Sequence, residues 1–156
     1  MTNEQFTYQM PNAGCMLGTA YQILASQLAG KLTEAGLALT VPEYMILRAL
    51  YTQDGMQQCE IGSMLGKDKG AISRCVTTMV RKKLVTTESV SHKCLRVFLS
   101  PEGHRIRDII LTIADERHRA LESLLTPDEM NCFATVLKKI ISTKIQLTKN
   151  ERDIYD

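Results

Sequence analysis

The sequence predicts a mainly α chain with a small β-wing. Three observations lead there. Met56 to Leu99 holds two short helical patterns joined by Gly66-Lys67-Asp68, then a basic run, then two strand-like pieces. The second pattern sets Ile72, Cys75, Val76, Met79 and Val80 on one apolar stripe, at the spacing of a helix face that packs on a core. Lys69, Ser73, Arg74, Thr77, Arg81 and Lys82 fall on its other face. Helix, tight turn, helix and β-ribbon is the winged helix-turn-helix arrangement, which offers one helix to the DNA major groove and a wing beside it.

The elements follow in order. A helix begins near Asn12, with Leu17, Ala20, Tyr21, Leu24, Leu28 and Leu32 as one stripe and Gly36 at its end. Thr40-Val41-Pro42-Glu43 opens the next helix, with Thr40 as cap and Glu43 placed to return the bond. Tyr44, Leu47, Leu50 and Tyr51 are its apolar positions, and Asp54-Gly55 ends it with a turn. Gln58 to Leu65 forms a short helix with Ile61, Met64 and Leu65 inward and Gly66 at its C-terminus. Asp68 caps the second helix, which runs to about Lys83. Leu84–Val90 and Cys94–Leu99 are the ribbon strands, with Ser91-His92-Lys93 at the tip and Leu95, Val97 and Leu99 alternating with Arg96 and Phe98. Ser100-Pro101 starts another helix, carrying Ile106, Ile109, Ile110, Ile113, Leu121 and Leu124. Thr126-Pro127-Asp128-Glu129 repeats the cap for a last helix that carries Met130, Phe133, Ala134, Leu137, Ile140, Ile141 and Ile145.

A chain of 156 residues is expected to be one domain with a full core. Residues 12–36 and 101–148 supply dimerisation helices around a DNA-binding lobe at 40–100. The terminal stripes are long, and one bundle's worth of apolar residues does not cover both. Burial against a second copy solves this, so a homodimer is expected.

Charge is local. Residues 56–100 hold eight Lys/Arg against three acids, while the remainder holds eleven against fourteen. A basic middle between acidic flanks points to a local polyanion site. Arg81-Lys82-Lys83 alone fits a solvated helix face equally well. No apolar run approaches a membrane span, and the N-terminus lacks a secretory pattern. The five scattered cysteines form no disulfide framework or CxxC metal pair, so reduced thiols in the cytoplasm are expected. No cofactor is expected. His92, Cys94, His104, Glu116 and His118 match no zinc spacing. No nucleophile turn or phosphate loop marks an enzyme.

These pieces together resemble the MarR (multiple antibiotic resistance regulator) family of bacterial transcription factors, over about residues 13–146. The resemblance lies in Leu39-Thr40-Val41-Pro42-Glu43-Tyr44, in Ile61-Gly62-Ser63-Met64-Leu65 leading to Ile72-Ser73-Arg74, in Val80-Arg81-Lys82-Lys83-Leu84-Val85, and in Val97-Phe98-Leu99-Ser100-Pro101-Glu102-Gly103. The order and spacing carry it, since no single piece is specific. It implies a homodimeric repressor that reads a near-palindromic duplex and is released by a small-molecule effector. Ser73, Arg74 and Thr77 would meet base edges. Lys67, Lys69, the N-terminal turn at Gly70, and Lys93 and Arg96 of the wing would serve the backbone.

The family wing carries an Asp-x-Arg-Asp-x-Arg pattern. Here Glu88-Ser89-Val90-Ser91-His92-Lys93 stands in its place. Lysine in place of a planar arginine fork implies a wing that anchors phosphate and reads little sequence. Met16, Tyr21, Tyr44, Met45 and Tyr51 are candidates for an effector pocket, and each fits an ordinary core position as well.

Two alternatives stay open. Cys15 lies near the start of the first helix, where the peroxide-sensing branch of the family carries its reactive thiol. Its flanks, Gly14 and Met16, depart from that branch's Leu-Cys-Phe. A winged-helix adaptor that binds protein and not DNA would keep the fold and dispense with the face of Lys69, Ser73, Arg74 and Thr77.

Overall fold

A computed structural model describes residues 12–91 and 94–143. The chain divides into two compact units, residues 1–113 and 114–156.

In the first unit, helix α1 (Ala13–Glu34) is capped by Asn12, whose side chain accepts from the Cys15 N–H. Only Leu28 and Leu32 of its stripe are buried. Met16, Leu17, Tyr21 and Leu24 are exposed, Tyr21 by 57%. Helix α2 (Val41–Thr52) starts with the expected capping box. It buries Tyr44, Ile46, Leu47, Ala49 and Leu50, a wider face than the predicted stripe.

A two-residue strand, β1 (Met56–Gln57), follows. Two residues carry no period, so the sequence reading passed it over. It pairs antiparallel with β3 (Cys94–Leu99), which also pairs with β2 (Val85–Ser91), giving the order β1-β3-β2. The register runs from Val85 opposite Leu99 to Ser91 opposite Cys94, with a bulge between Ser89 and Ser91. Val97 and Leu99 are buried, and Leu95, nearer the tip, is exposed. His92 and Lys93 lie outside the described residues.

Helix α3 (Gln58–Leu65) occupies the predicted range, and Gly66 ends it in the left-handed conformation. Ile61 is inward, but Met64 is 49% exposed, contrary to expectation. On a helix of two turns the core touches a narrow strip, and Ile61 and Gly62 fill it. Helix α4 (Lys69–Arg81) carries the Asp68 cap and buries Ile72, Val76 and Met79. Cys75 is half-buried against the core, while Val80 is 41% exposed. The stripe therefore narrows at its end, because 3.6 residues per turn carry the i+8 position off the buried line.

The helix after Ser100 is broken where one continuous helix was expected. Helix α5 (Pro101–Arg105) ends at Ile106, and α6 (Arg107–Glu122) restarts. The Ser100 side chain accepts from the Gly103 N–H. The core gathers Leu28 and Leu32, the buried faces of α2 to α4, Met56, Leu84, Val85, Val97, Leu99, Ile106, Ile110 and Ile113.

In the second unit, Leu124 lies beyond the end of α6 and is 77% exposed. Helix α7 (Pro127–Ser142) has a complete capping box between Thr126 and Glu129 and no buried residue. Phe133, Val136, Ile140 and Ile141 are exposed. Ile145 lies outside the described residues. Among the described residues no helix is long and apolar enough to cross a membrane.

Candidate nucleic-acid interface

Helix α4 is fixed at its start by a carboxylate. Asp68 accepts from the Ala71 N–H at 2.8 Å, and that bond, chiefly, holds its carboxyl below the usual range. The charge faces the helix N-terminus, where a carboxylate is favoured. The apolar stripe then seats the helix on α2 and α3. This leaves Lys67, Lys69, Gly70, Arg74 and Thr77 exposed and Ser73 half-exposed on the outer side.

The local geometry sets what each side chain can offer. The Thr77 hydroxyl donates to the Ser73 carbonyl at 2.9 Å, which leaves its oxygen as an acceptor. Thr78 donates to the Arg74 carbonyl at 3.1 Å and accepts from Arg81 Nη2 at 3.3 Å. Arg81 is thus laid along its own helix. A Cβ on Gly70 would stand 3.2 Å from Arg74 Nη1 and 3.2 Å from Asp68 Oδ1. The absent side chain leaves room for the Arg74 guanidinium.

A groove of about 370 Å3 runs between the first turn of α2 and α4, lined by residues that include Pro42, Glu43, Lys67, Ala71, Arg74 and Cys75. Two of the predicted DNA contacts, Lys67 and Arg74, therefore share one wall. Burial, and next the Glu43 carboxylate, push the Cys75 thiol up, which keeps it protonated. On the wing, Arg96 is exposed and stands in the ladder between Gln57 and Glu88.

Lys82 is an exposed residue, as expected, but its ammonium turns back onto the lobe. Its Nζ donates to Glu43 Oε2 at 2.7 Å and to the Ala38 carbonyl at 2.7 Å. The Glu43 side chain is 2% exposed and that of Lys82 33%. Glu43 Oε2 also accepts from the Thr40 N–H at 2.8 Å. One carboxylate oxygen thus closes the α2 cap and ties the end of α4. The capping-box spacing had marked Glu43, but nothing in that spacing reveals a second partner 39 positions away.

The candidate effector residues are dispersed in kind. Tyr44 is buried, Met16, Tyr21 and Met45 are exposed, and the Tyr51 hydroxyl donates to the Gly103 carbonyl at 2.7 Å. A second groove, of about 310 Å3, is lined by Gly36 to Leu39, Lys82, Leu84, Glu102, Arg105 and Ile106. Cys15 is an exposed free thiol in the first turn of α1, and Cys59 and Cys132 are exposed as well. No cluster of three potential metal ligands occurs among the described residues.

Residues 39–93 match the model of the MarR family, a span from the entry to α2 through the wing. The transcriptional regulator HosA of Escherichia coli O157:H7 is 25% identical over 107 residues, 67% of this chain and 79% of that protein. The fold is that of the S. aureus MepR–DNA complex, with a TM-score of 0.75 and 21% identity over 85% of this chain and 98% of that one. It is also that of CouR from Rhodococcus jostii RHA1 bound to p-coumaroyl-CoA, with a TM-score of 0.73 and 21% identity over 87% and 96% of the two chains.

Proposed function

We propose that the chain, whose residues 39–93 match the model of the MarR family, is a homodimeric, sequence-specific DNA-binding repressor released by a small-molecule effector. One observation carries the reading. Helix α4 buries Ile72, Val76 and Met79 and turns Lys69, Ser73, Arg74 and Thr77 outward. An outer face of cations, hydroxyls and a guanidinium is suited to phosphates and base edges. Arg74 takes a guanine in a bidentate pair, Ser73 and Thr77 meet neighbouring bases, and Lys67 and Lys69 hold phosphates. Arg96 and Lys93 anchor the wing.

The dimer is supported by the apolar side chains that α1 and α7 leave exposed, Leu17, Tyr21 and Leu24 on the one and Phe133, Val136 and Ile140 on the other. Runs of this kind mark association surfaces. Two copies present two recognition helices, so the target is a near-palindrome with half-sites about one helical turn apart. Release by an effector requires a ligand that binds the DNA-incompetent state more tightly. The p-coumaroyl-CoA complex of CouR is a precedent within the fold.

Selection of duplexes from a random library tests the reading. Enrichment of a two-fold symmetric sequence, bound by two protomers with steep salt dependence, is expected. Failure to enrich any sequence, with dimers present in sedimentation, contradicts the DNA reading and favours a protein-binding adaptor.

A further inference from the structure

We infer that Glu43 and Lys82 are positioning residues for DNA recognition: their ion pair, buried at the carboxylate and one-third exposed at the lysine, sets the orientation of helix α4 from its C-terminal end. This inference rests on the DNA-binding reading above. Lys82 is the C-cap of α4. Its ammonium reaches Glu43 in the first turn of α2 and the Ala38 carbonyl in the α1–α2 connection. One side chain therefore joins three segments of the lobe at the end of the helix opposite to Lys69.

Two features make this tie decisive for orientation. The apolar stripe of Ile72, Val76 and Met79 holds α4 to the core, but apolar burial is non-directional. It tolerates a small rotation of the helix about its own contacts. Along the side that faces the start of α2, an open groove between Pro42, Glu43, Ala71, Arg74 and Cys75 leaves α4 only partly packed. The charge-assisted bonds of Lys82 close that side at one point with fixed geometry. Arg74 lines the same groove two helical turns before Lys82. A pivot of the helix displaces its guanidinium from any base that it reads.

Replacing both partners of an ion pair by neutral groups of similar shape costs little net stability, whereas removing only the cation leaves the buried Glu43 carboxylate uncompensated. The double variant Glu43→Gln/Lys82→Met is therefore the discriminating protein. Its amide oxygen keeps the bond from the Thr40 N–H, and the thioether keeps the aliphatic stem. The variant, both single variants and the unaltered chain are titrated against the library-selected duplex and a scrambled duplex at two salt concentrations. Thermal midpoints are recorded in parallel.

The double variant is expected to fold with a midpoint near that of the unaltered chain. It should bind the selected duplex about tenfold more weakly, the worth of one well-placed base contact, with scrambled binding and its salt slope unchanged. Each single variant should lose discrimination too, and the two losses should not multiply. An equal fall on both duplexes with a shallower salt slope makes Lys82 a phosphate ligand and overturns the inference. Full discrimination in the folded double variant overturns it as well, as does discrimination lost only in proportion to unfolding. Equal binding of both duplexes by the unaltered chain overturns the DNA reading itself.

Discussion

The Tyr51 hydroxyl donates to the Gly103 carbonyl at 2.7 Å, joining the last turn of α2 to α5 across 52 positions of sequence. The Arg107 guanidinium lies over the same ring, 5.8 Å from its centroid. Burial, partly offset by Arg107, raises the phenol from 10.0 to about 12. In the unfolded chain the phenol ionises first as pH rises. The stabilisation from this site is therefore complete below pH 10 and is lost as pH climbs toward 12. Tyr51→Phe should cost about 1 kcal/mol near neutral pH and remove that alkaline slope. Denaturation midpoints of both proteins between pH 8 and about 11 check this.

Helix α5 crosses so close to the residue that enters β2 that a Cβ on Gly103 would overlap the Leu84 carbonyl oxygen. That oxygen cannot withdraw freely, because it accepts from the Ser100 N–H at 3.1 Å. Gly103→Ala should destabilise the lobe by about 1–3 kcal/mol, an overpacking cost against backbone. A thermal or urea midpoint equal to that of the unaltered chain would refute the tight crossing.

Lys83 takes φ 61 after the end of α4, the one positive φ at a non-glycine among the described residues. Its N–H donates to the Val80 carbonyl and that of Leu84 to Met79, closing the helix as a left-handed cap does. A β-carbon is strained there. Lys83→Gly should raise stability by about 1 kcal/mol, the relief of that strain less the added freedom of the unfolded chain. Calorimetry reads the sign directly.

Gly70 separates stability from recognition. Gly70→Ala should raise the intrinsic helicity of α4 by up to about 1 kcal/mol. Its methyl would also press on Arg74 Nη1 and Asp68 Oδ1. An unchanged or higher thermal midpoint with weaker binding to the selected duplex is the expected pair of results. Unchanged affinity would show that the Arg74 rotamer at Gly70 is irrelevant to DNA.

Much of this lobe was legible because its ends are written in local chemistry. Thr40 with Glu43, Asp68, Ser100-Pro101 and Thr126-Pro127 each cap the helix they were read to cap. Gly66 closes α3 where a left-handed residue was needed. Illegible features depend on partners distant in sequence. Strand β1 exists only because Met56 and Gln57 meet Val97 and Arg96. The break at Ile106 falls three residues after Gly103, where α5 lies against the Leu84 carbonyl, a neighbour 19 positions back in sequence. Lys82 sits in a basic run that a one-dimensional reading turns outward, and only the fold brings Glu43 beneath it.

The central claim is that the outer face of α4 reads base sequence. Arg74→Ala, titrated against the selected duplex and against single-base variants at each half-site position, tests it most directly. Preference is expected to collapse at one position per half-site, by about 1–3 kcal/mol, and to persist elsewhere. A preference profile parallel to that of the unaltered chain at every position would contradict it.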